Sequence, residues 1–211
     1  TPPGGARVAA RSRTQPGAAS DLHSGIRVAM IRSNGLVALT RIGLLSDSHG
    51  RAATTERAVR LLLGEGVDLI VHLGDIGSVD VIDALVERID ERGELDPPVH
   101  AVLGNCDWDE EGLTRYGRSL GIAMDHPVGR LDVDERTVVF QHGHQDAAME
   151  QALAEGADYL CHGHTHRPRD ERVDECRVIN PGALFRAAEY TVAVLDVARD
   201  ELTFLNVPER S

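Results

Sequence analysis

Five short polar segments carry the side chains best able to do chemistry: Asp47-Ser48-His49, Gly74-Asp75, Gly104-Asn105-Cys106-Asp107, His142-Gly143-His144 and Gly163-His164-Thr165-His166. Their donor atoms are carboxylate oxygens, imidazole nitrogens and a side-chain amide oxygen, a mixture suited to hard or borderline divalent cations such as Mn2+, Fe2+ or Zn2+. A thiolate-rich structural zinc site is excluded, because Cys106, Cys161 and Cys176 are far apart and form no CxxC pair. The Asp-x-His and His-x-His spacings matter: in an extended segment residues i and i+2 point the same way, so both side chains can reach one metal cluster. Taken singly each segment says little, since a strand-end Asp is ordinarily a turn or cap residue and a lone His a core or surface residue. Their joint occurrence carries the inference.

Something must bring these segments together, and the apolar runs ahead of them supply it. Arg41-Ile-Gly-Leu-Leu45 stops at Asp47, Asp68-Leu-Ile-Val-His72 stops at Gly74-Asp75, and Val99 to Leu103 stops at Gly104-Asn105, as buried strands do on reaching polar loops. Helical spacing is predicted over residues 53–63 and again over 79–89, where Val79, Ile82, Leu85, Val86 and Ile89 share a face. Strand, helix, strand, helix, strand implies a parallel sheet whose ligands sit beyond the carboxyl ends of its strands. The second half reads as short strands at 137–140, 159–161, 178–179, 191–195 and 202–205, with one clear helix at 146–154. The expected fold is therefore mixed α/β (α+β): a four-layer αββα sandwich, two mixed sheets packed face to face with helices outside.

At 211 residues with 42% hydrophobic content, a single catalytic domain over residues 41–211 is expected. Residues 1–40 begin with a stretch rich in Ala, Gly, Pro, Ser and Arg and without sustained periodicity, read as a disordered extension or an over-long gene start. No apolar run approaches a membrane span, no secretion signal follows the early arginines, and the odd number of cysteines suggests free thiols, so a cytoplasmic, membrane-free protein is expected. Association into homo-oligomers is left open. All 22 basic residues are Arg against 34 acids, a net charge of −12, which disfavours nucleic acid as a partner. An acidic, lysine-free chain fits solubility in concentrated salt, where screening removes self-repulsion. A GC-rich genome is the alternative; it accounts for the missing lysines but less readily for the acids.

In order and spacing, the five segments resemble the calcineurin-like metallophosphoesterase superfamily, whose motifs run D-x-H, G-D, G-N-H-[DE], a later H, and G-H-x-H. The Gly104-Asn105-Cys106-Asp107 variant, the His142-Gly143-His144 block and Ile179-Asn180-Pro181-Gly182-Ala183 are similar to its small single-domain phosphodiesterase branch, and the resemblance covers residues 42–207. It implies that Asp47, His49 and His166 hold one metal and Asn105, His142 and His164 a second, with Asp75 bridging. It further implies two divalent ions, Mn2+ in first place with Fe, Zn or Ni as alternatives, about 3.5–4 Å apart, and a shared hydroxide attacking the phosphorus of a small phosphoester in line.

Asp75 and Asn105 thus count as catalytic as well as ligating. Cys106 stands where the family often has the His credited with protonating the leaving group, which leaves His144 as the candidate donor, with plain structural support as the other reading. Asp107 is expected to orient the Asn105 loop and Asn180 to serve a turn, while His72, His100, His126 and His162 are left as structural. A different function class stays open: a relative in the eukaryotic retromer coat keeps this fold chiefly as a protein-binding scaffold with altered metal-site residues. The full set of ligands here favours the enzyme. The H-x-H-x-D-H pattern of metallo-β-lactamases, which would indicate another dinuclear hydrolysis, is absent.

Overall fold

The computed structural model describes residues 26–27, 29–32, 35–38, 41–90 and 92–208. In chain order it opens with β1 (Ile26–Arg27) and a hairpin of β2 (Ala29–Arg32) and β3 (Gly35–Ala38). Then come β4 (Arg41–Leu45), α1 (Ala52–Gly64), β5 (Leu69–Leu73), α2 (Val79–Leu85), β6 (Val99–Val102), α3 (Glu110–Ser119) and β7 (Ala123–Met124). The second half holds β8 (Val128–Val133), β9 (Arg136–Gln141), α4 (Asp146–Ala154), β10 (Tyr159–Cys161), β11 (Arg169–Val173), β12 (Cys176–Asn180), β13 (Thr191–Asp196) and β14 (Glu201–Asn206). Of the predicted disordered extension, residues 1–40, residues 1–25 lie outside those described, while β1, β2 and β3 are strands that the sequence reading does not expect there.

Two mixed six-stranded sheets result, ordered β14-β13-β4-β5-β6-β7 and β1-β8-β9-β10-β12-β11. In the first, β4, β5, β6 and β7 run parallel and β13 joins β4 antiparallel; in the second, β9, β10 and β12 run parallel. The pleat sorts the side chains into layers. On β5, Leu69, Val71 and Leu73 enter a core shared with Val138, Phe140, Tyr159 and Ile179 of the other sheet, whereas Ile70 meets α1 and α2 through Leu62, Val81 and Ile82. A third cluster places Val139, Leu160 and Val178 against Ala152 of α4. The order is helices, sheet, sheet, helix, the expected αββα sandwich. A buried side chain such as Phe140, at 0% exposure, contributes about 1.5–3 kcal/mol.

The structure differs from the sequence reading at several points. Helix α2 ends at Leu85 rather than 89, because the chain turns back so that Ile89, 62% exposed, bridges Leu95. Helix α3 was not expected: it buries only Leu113 and Gly117, too few for an apolar stripe. It is held by local chemistry instead, with Asp109 accepting from the Gly112 N–H, Glu110 and Glu111 in the first turn and Arg118 in the last. Strands β8 and β11 were missed because Arg130 and Asp132 interrupt one and Arg169-Asp-Glu-Arg fills the other, an exposed edge strand. No helix among the described residues is long and apolar enough to cross a membrane.

Candidate metal centre

The five polar segments do converge, at the carboxyl ends of β4, β5, β6, β9 and β10, and backbone hydrogen bonds stitch them loop to loop. Asp47 N–H donates to the Gly74 carbonyl at 3.0 Å, His49 N–H to Asp75 at 2.8 Å, and Gly163 N–H to His142 at 2.9 Å. The route differs from the expected one. Asp47, His49, Asp75, His164 and His166 all have positive φ, between 43° and 67°, a region that costs a non-glycine residue about 1–3 kcal/mol. The i, i+2 pairs therefore meet through tight left-handed turns, not along extended backbone. Strain of this kind persists only where surrounding contacts over-determine it, and here it coincides with the chemistry.

Ligand atoms within 4.8 Å of one another form three overlapping groups: Asp47, His49 and His166; Asp47, Asp75 and His142; and His49, Asp75 and Cys106. His49 Nε2 lies 3.3 Å from His166 Nε2 and 3.3 Å from Asp75 Oδ2, and His166 Nε2 lies 3.3 Å from Asp47 Oδ1. On the opposite side His142 Nε2 stands 3.4 Å from Asp75 Oδ1. The two oxygens of Asp75 thus face different imidazoles. His142 Nδ1 donates to the Leu73 carbonyl at 2.8 Å, which leaves Nε2 turned toward the centre as a lone pair when the ring is neutral.

These residues fit divalent cations. Asp47 Oδ1 and His142 Nε2 are buried with no hydrogen-bond partner among the described residues, an arrangement costly unless a cation completes it. Burial pushes the Asp47 carboxyl above its ordinary range. Burial acts the same way on Asp75, but the His142 imidazole 3.4 Å away, with the Cys106 N–H, outweighs it and holds that carboxyl well below the ordinary range. Burial disfavours a charge on His142, yet Asp75 raises its pKa regardless. Both shifts express one demand, for positive charge between Asp75 and His142.

Two predicted ligands stand at the rim. Asn105 is exposed, its amide 3.5 Å from Cys106 Sγ, and His164 is exposed, its ring centroid 5.2 Å from that of His142. His144 lies close by, 5.4 Å from His142 and 6.3 Å from His164 by ring centroids. Cys106 N–H donates to Asp75 Oδ1 at 2.8 Å, and burial together with Asp75 pushes the thiol up to about 11, so it stays protonated at neutral pH.

Much of the centre's rigidity comes from residues that the sequence marks as structural or loop-orienting rather than as ligands. His72, fully buried, joins Ser48 Oγ through Nε2 at 2.9 Å and accepts from the Gly74 N–H through Nδ1 at 3.2 Å, and Thr55 extends the chain to Ser48 at 3.0 Å. This run ties the Asp47 loop to the Asp75 loop. Asp107 does orient its loop, accepting from the N–H groups of Gly104 at 2.8 Å, Gly77 at 2.7 Å and Ile76 at 3.1 Å. Asn180 forms the expected turn with Gly182 N–H and also donates to the Gly163 carbonyl at 2.7 Å, steadying the His164–His166 loop. Gly104 and Gly163 permit the close approach: a Cβ would come 2.1 Å from Asp75 Oδ1 at the first and 1.9 Å from Ser46 Oγ at the second. A strand followed by Gly-Asn or Gly-His was the signal in the sequence for both.

The family model of the calcineurin-like phosphoesterase superfamily domain matches residues 40–200. The chain belongs to this superfamily. As a calcineurin-like phosphoesterase it is a metal-dependent phosphoester hydrolase, and the family implies divalent metal ions at these ligand clusters. The chain is 28% identical over 166 residues to phosphodiesterase MJ0936 of Methanocaldococcus jannaschii, covering 76% of this chain and 95% of that protein. To phosphodiesterase YfcE of Escherichia coli it is 28% identical over 152 residues, covering 69% and 80%. Among solved structures, an archaeal phosphodiesterase superimposes with a TM-score of 0.70 at 26% identity, covering 79% of this chain and 99% of that one. The fold is shared with Entamoeba histolytica Vps29, at a TM-score of 0.52 and 17% identity over 81% of this chain and 94% of that one.

Proposed function

We propose that the chain hydrolyses phosphodiesters at a centre of two divalent cations, Asp47, His49 and His166 holding one, Asn105, His142 and His164 the other, and Asp75 shared between them. The observation that carries this reading is the placement of Asp75, with Oδ2 at 3.3 Å from His49 and Oδ1 at 3.4 Å from His142. One carboxylate between two sets of nitrogen and oxygen donors is what a paired centre requires. When bound, the two cations supply Lewis acidity toward the phosphoryl oxygens and lower the pKa of water, so that hydroxide is available at neutral pH for in-line attack. Phosphodiesters are favoured over other esters because two relatives are phosphodiesterases by name.

The protein's own groups fix the positions and limit the leaving group. Asn105 and His164 present an amide oxygen and an imidazole at the open side, where substrate arrives. Cys106 keeps its proton, and burial, then His142 and His164, lower the pKa of His144, so His144 is neutral at pH 7 and a weak proton donor. Esters whose leaving groups depart without protonation should therefore be the best substrates. Manganese is the proposed ion, one of several first-row cations that an oxygen-and-imidazole donor set accepts; a reducing, cytoplasmic setting is supported by the free cysteines, and a salt-rich one by the acid excess. Chelator-treated protein resupplied with Mn2+ tests the function. Hydrolysis of bis(p-nitrophenyl) phosphate with two ions bound per chain is expected; no hydrolysis and no bound metal would leave a scaffold.

A further inference from the structure

Beside the centre runs a groove of about 710 Å³, lined by His164 and His166 at one end and by Arg167, Arg186 and Glu189 beyond them. Its size is that of a small-ligand site, and because it shares His164 and His166 with the centre, a ligand lying in it would abut the centre.

Resting on phosphodiester hydrolysis at that centre, we propose that this groove binds a second anionic group, a phosphate carried by the substrate beyond the scissile phosphodiester, through Arg167 and Arg186 with Arg51 alongside. Charge points this way first. In a chain of net charge −12, many arginines elsewhere are tied to carboxylates, as Arg60 is to Glu87, Arg136 to Asp158 and Arg177 to Asp170. Among the described residues Arg51, Arg167 and Arg186 form no such pair, although acids are in excess. Glu189 is the one carboxylate lining the groove, against two guanidiniums. Unpaired guanidiniums present planar, two-pronged donors suited to phosphate oxygens.

The way the groove is built points the same way. Arg186 sits at φ 47°, a left-handed conformation unfavourable for a long side chain, so its surroundings impose its position. Its guanidinium lies 5.0 Å from the Phe185 ring centroid and that of Arg51 lies 4.8 Å from the same centroid, while Phe185 packs 5.1 Å from His49. Phe185 is therefore a spacer that holds two cations beside the metal centre. With both guanidiniums and an imidazole already against it, the ring is not free to stack on a base, which favours an anion over a nucleobase as the group recognised.

The test compares p-nitrophenyl thymidine 5′-phosphate with its 3′-phosphorylated counterpart, which differ by one phosphate. The Mn2+-loaded protein is expected to prefer the bisphosphorylated ester by about tenfold in kcat/KM, mostly through KM. Arg186→Ala and Arg167→Ala should each bring the ratio toward one, and added KCl should lower it in the wild type. Equal use of both esters by the wild type, or a preference that survives both substitutions, would overturn the proposal. If neither ester nor bis(p-nitrophenyl) phosphate is hydrolysed, the phosphodiesterase reading fails on its own. Calorimetric titration with thymidine 3′,5′-bisphosphate then decides the groove: binding weakened by either substitution sustains it, and no binding refutes it.

Discussion

The two halves of the centre are built differently. The half around Asp47, His49 and His166 is gathered, with nitrogens and oxygens 3.3 Å apart and three residues fixed in left-handed turns. The half around His142 has one deeply buried imidazole 3.4 Å from Asp75, while its other predicted ligands, Asn105 and His164, are exposed. A preorganised site binds a cation without ordering new side chains, whereas the second must settle Asn105 and His164 first. The first half should therefore hold its ion more tightly, and the second should be where substrate, solvent and metal exchange meet.

Asp75 belongs to both halves, so Asp75→Asn is expected to have the largest effect, lowering kcat by about 10³-fold or more and removing the second ion, as read by steady-state kinetics and metal analysis. Gly104→Ala comes next. The added Cβ would meet Asp75 Oδ1 at 2.1 Å, so activity should fall by about 10²-fold with about 1–3 kcal/mol lost from stability in denaturant titration. His166→Ala should cost about 10²-fold and Asn105→Ala about tenfold, with weakened Mn2+ affinity confined to the tighter event in the first and the weaker event in the second. The reverse ranking would overturn the contrast between the halves.

The smallest expected effect concerns the tie beneath the centre. Burial, then the charge of His142, pushes His72 down to about 3 from 6.5. The unfolded chain therefore takes up this proton first as pH falls. The stability that rests on neutral His72 is present above pH 6.5 and is lost progressively between 6.5 and about 3. Replacing the residue with Gln should make the acid limb of a stability-versus-pH curve shallower in that window, a change that thermal unfolding at several pH values would detect.

How much of this the sequence disclosed depends on what kind of order each part has. Asp47, Asp75 and Asn105 were legible because each ends or follows a buried apolar strand, a pattern set by short-range burial. The αββα layering was legible for the same reason, through runs such as Leu69 to Leu73. Helix α3 was not, since one cap and a few charges hold it rather than an apolar face. The left-handed turns at His49 and His166 leave no trace in residue type, because histidine there is chosen for its nitrogen and the strain is absorbed by loops far apart in the chain. His72 and Asn180 were read as structural, and the partners that make them supports of the centre lie 24 and 17 residues away, at Ser48 and Gly163.

Electron paramagnetic resonance of the Mn2+-titrated protein tests the paired centre most directly. Two ions per chain with a spin-coupled spectrum are expected in the wild type, giving way to a single uncoupled ion in Asp75→Asn. A single uncoupled ion in the wild type would contradict the account.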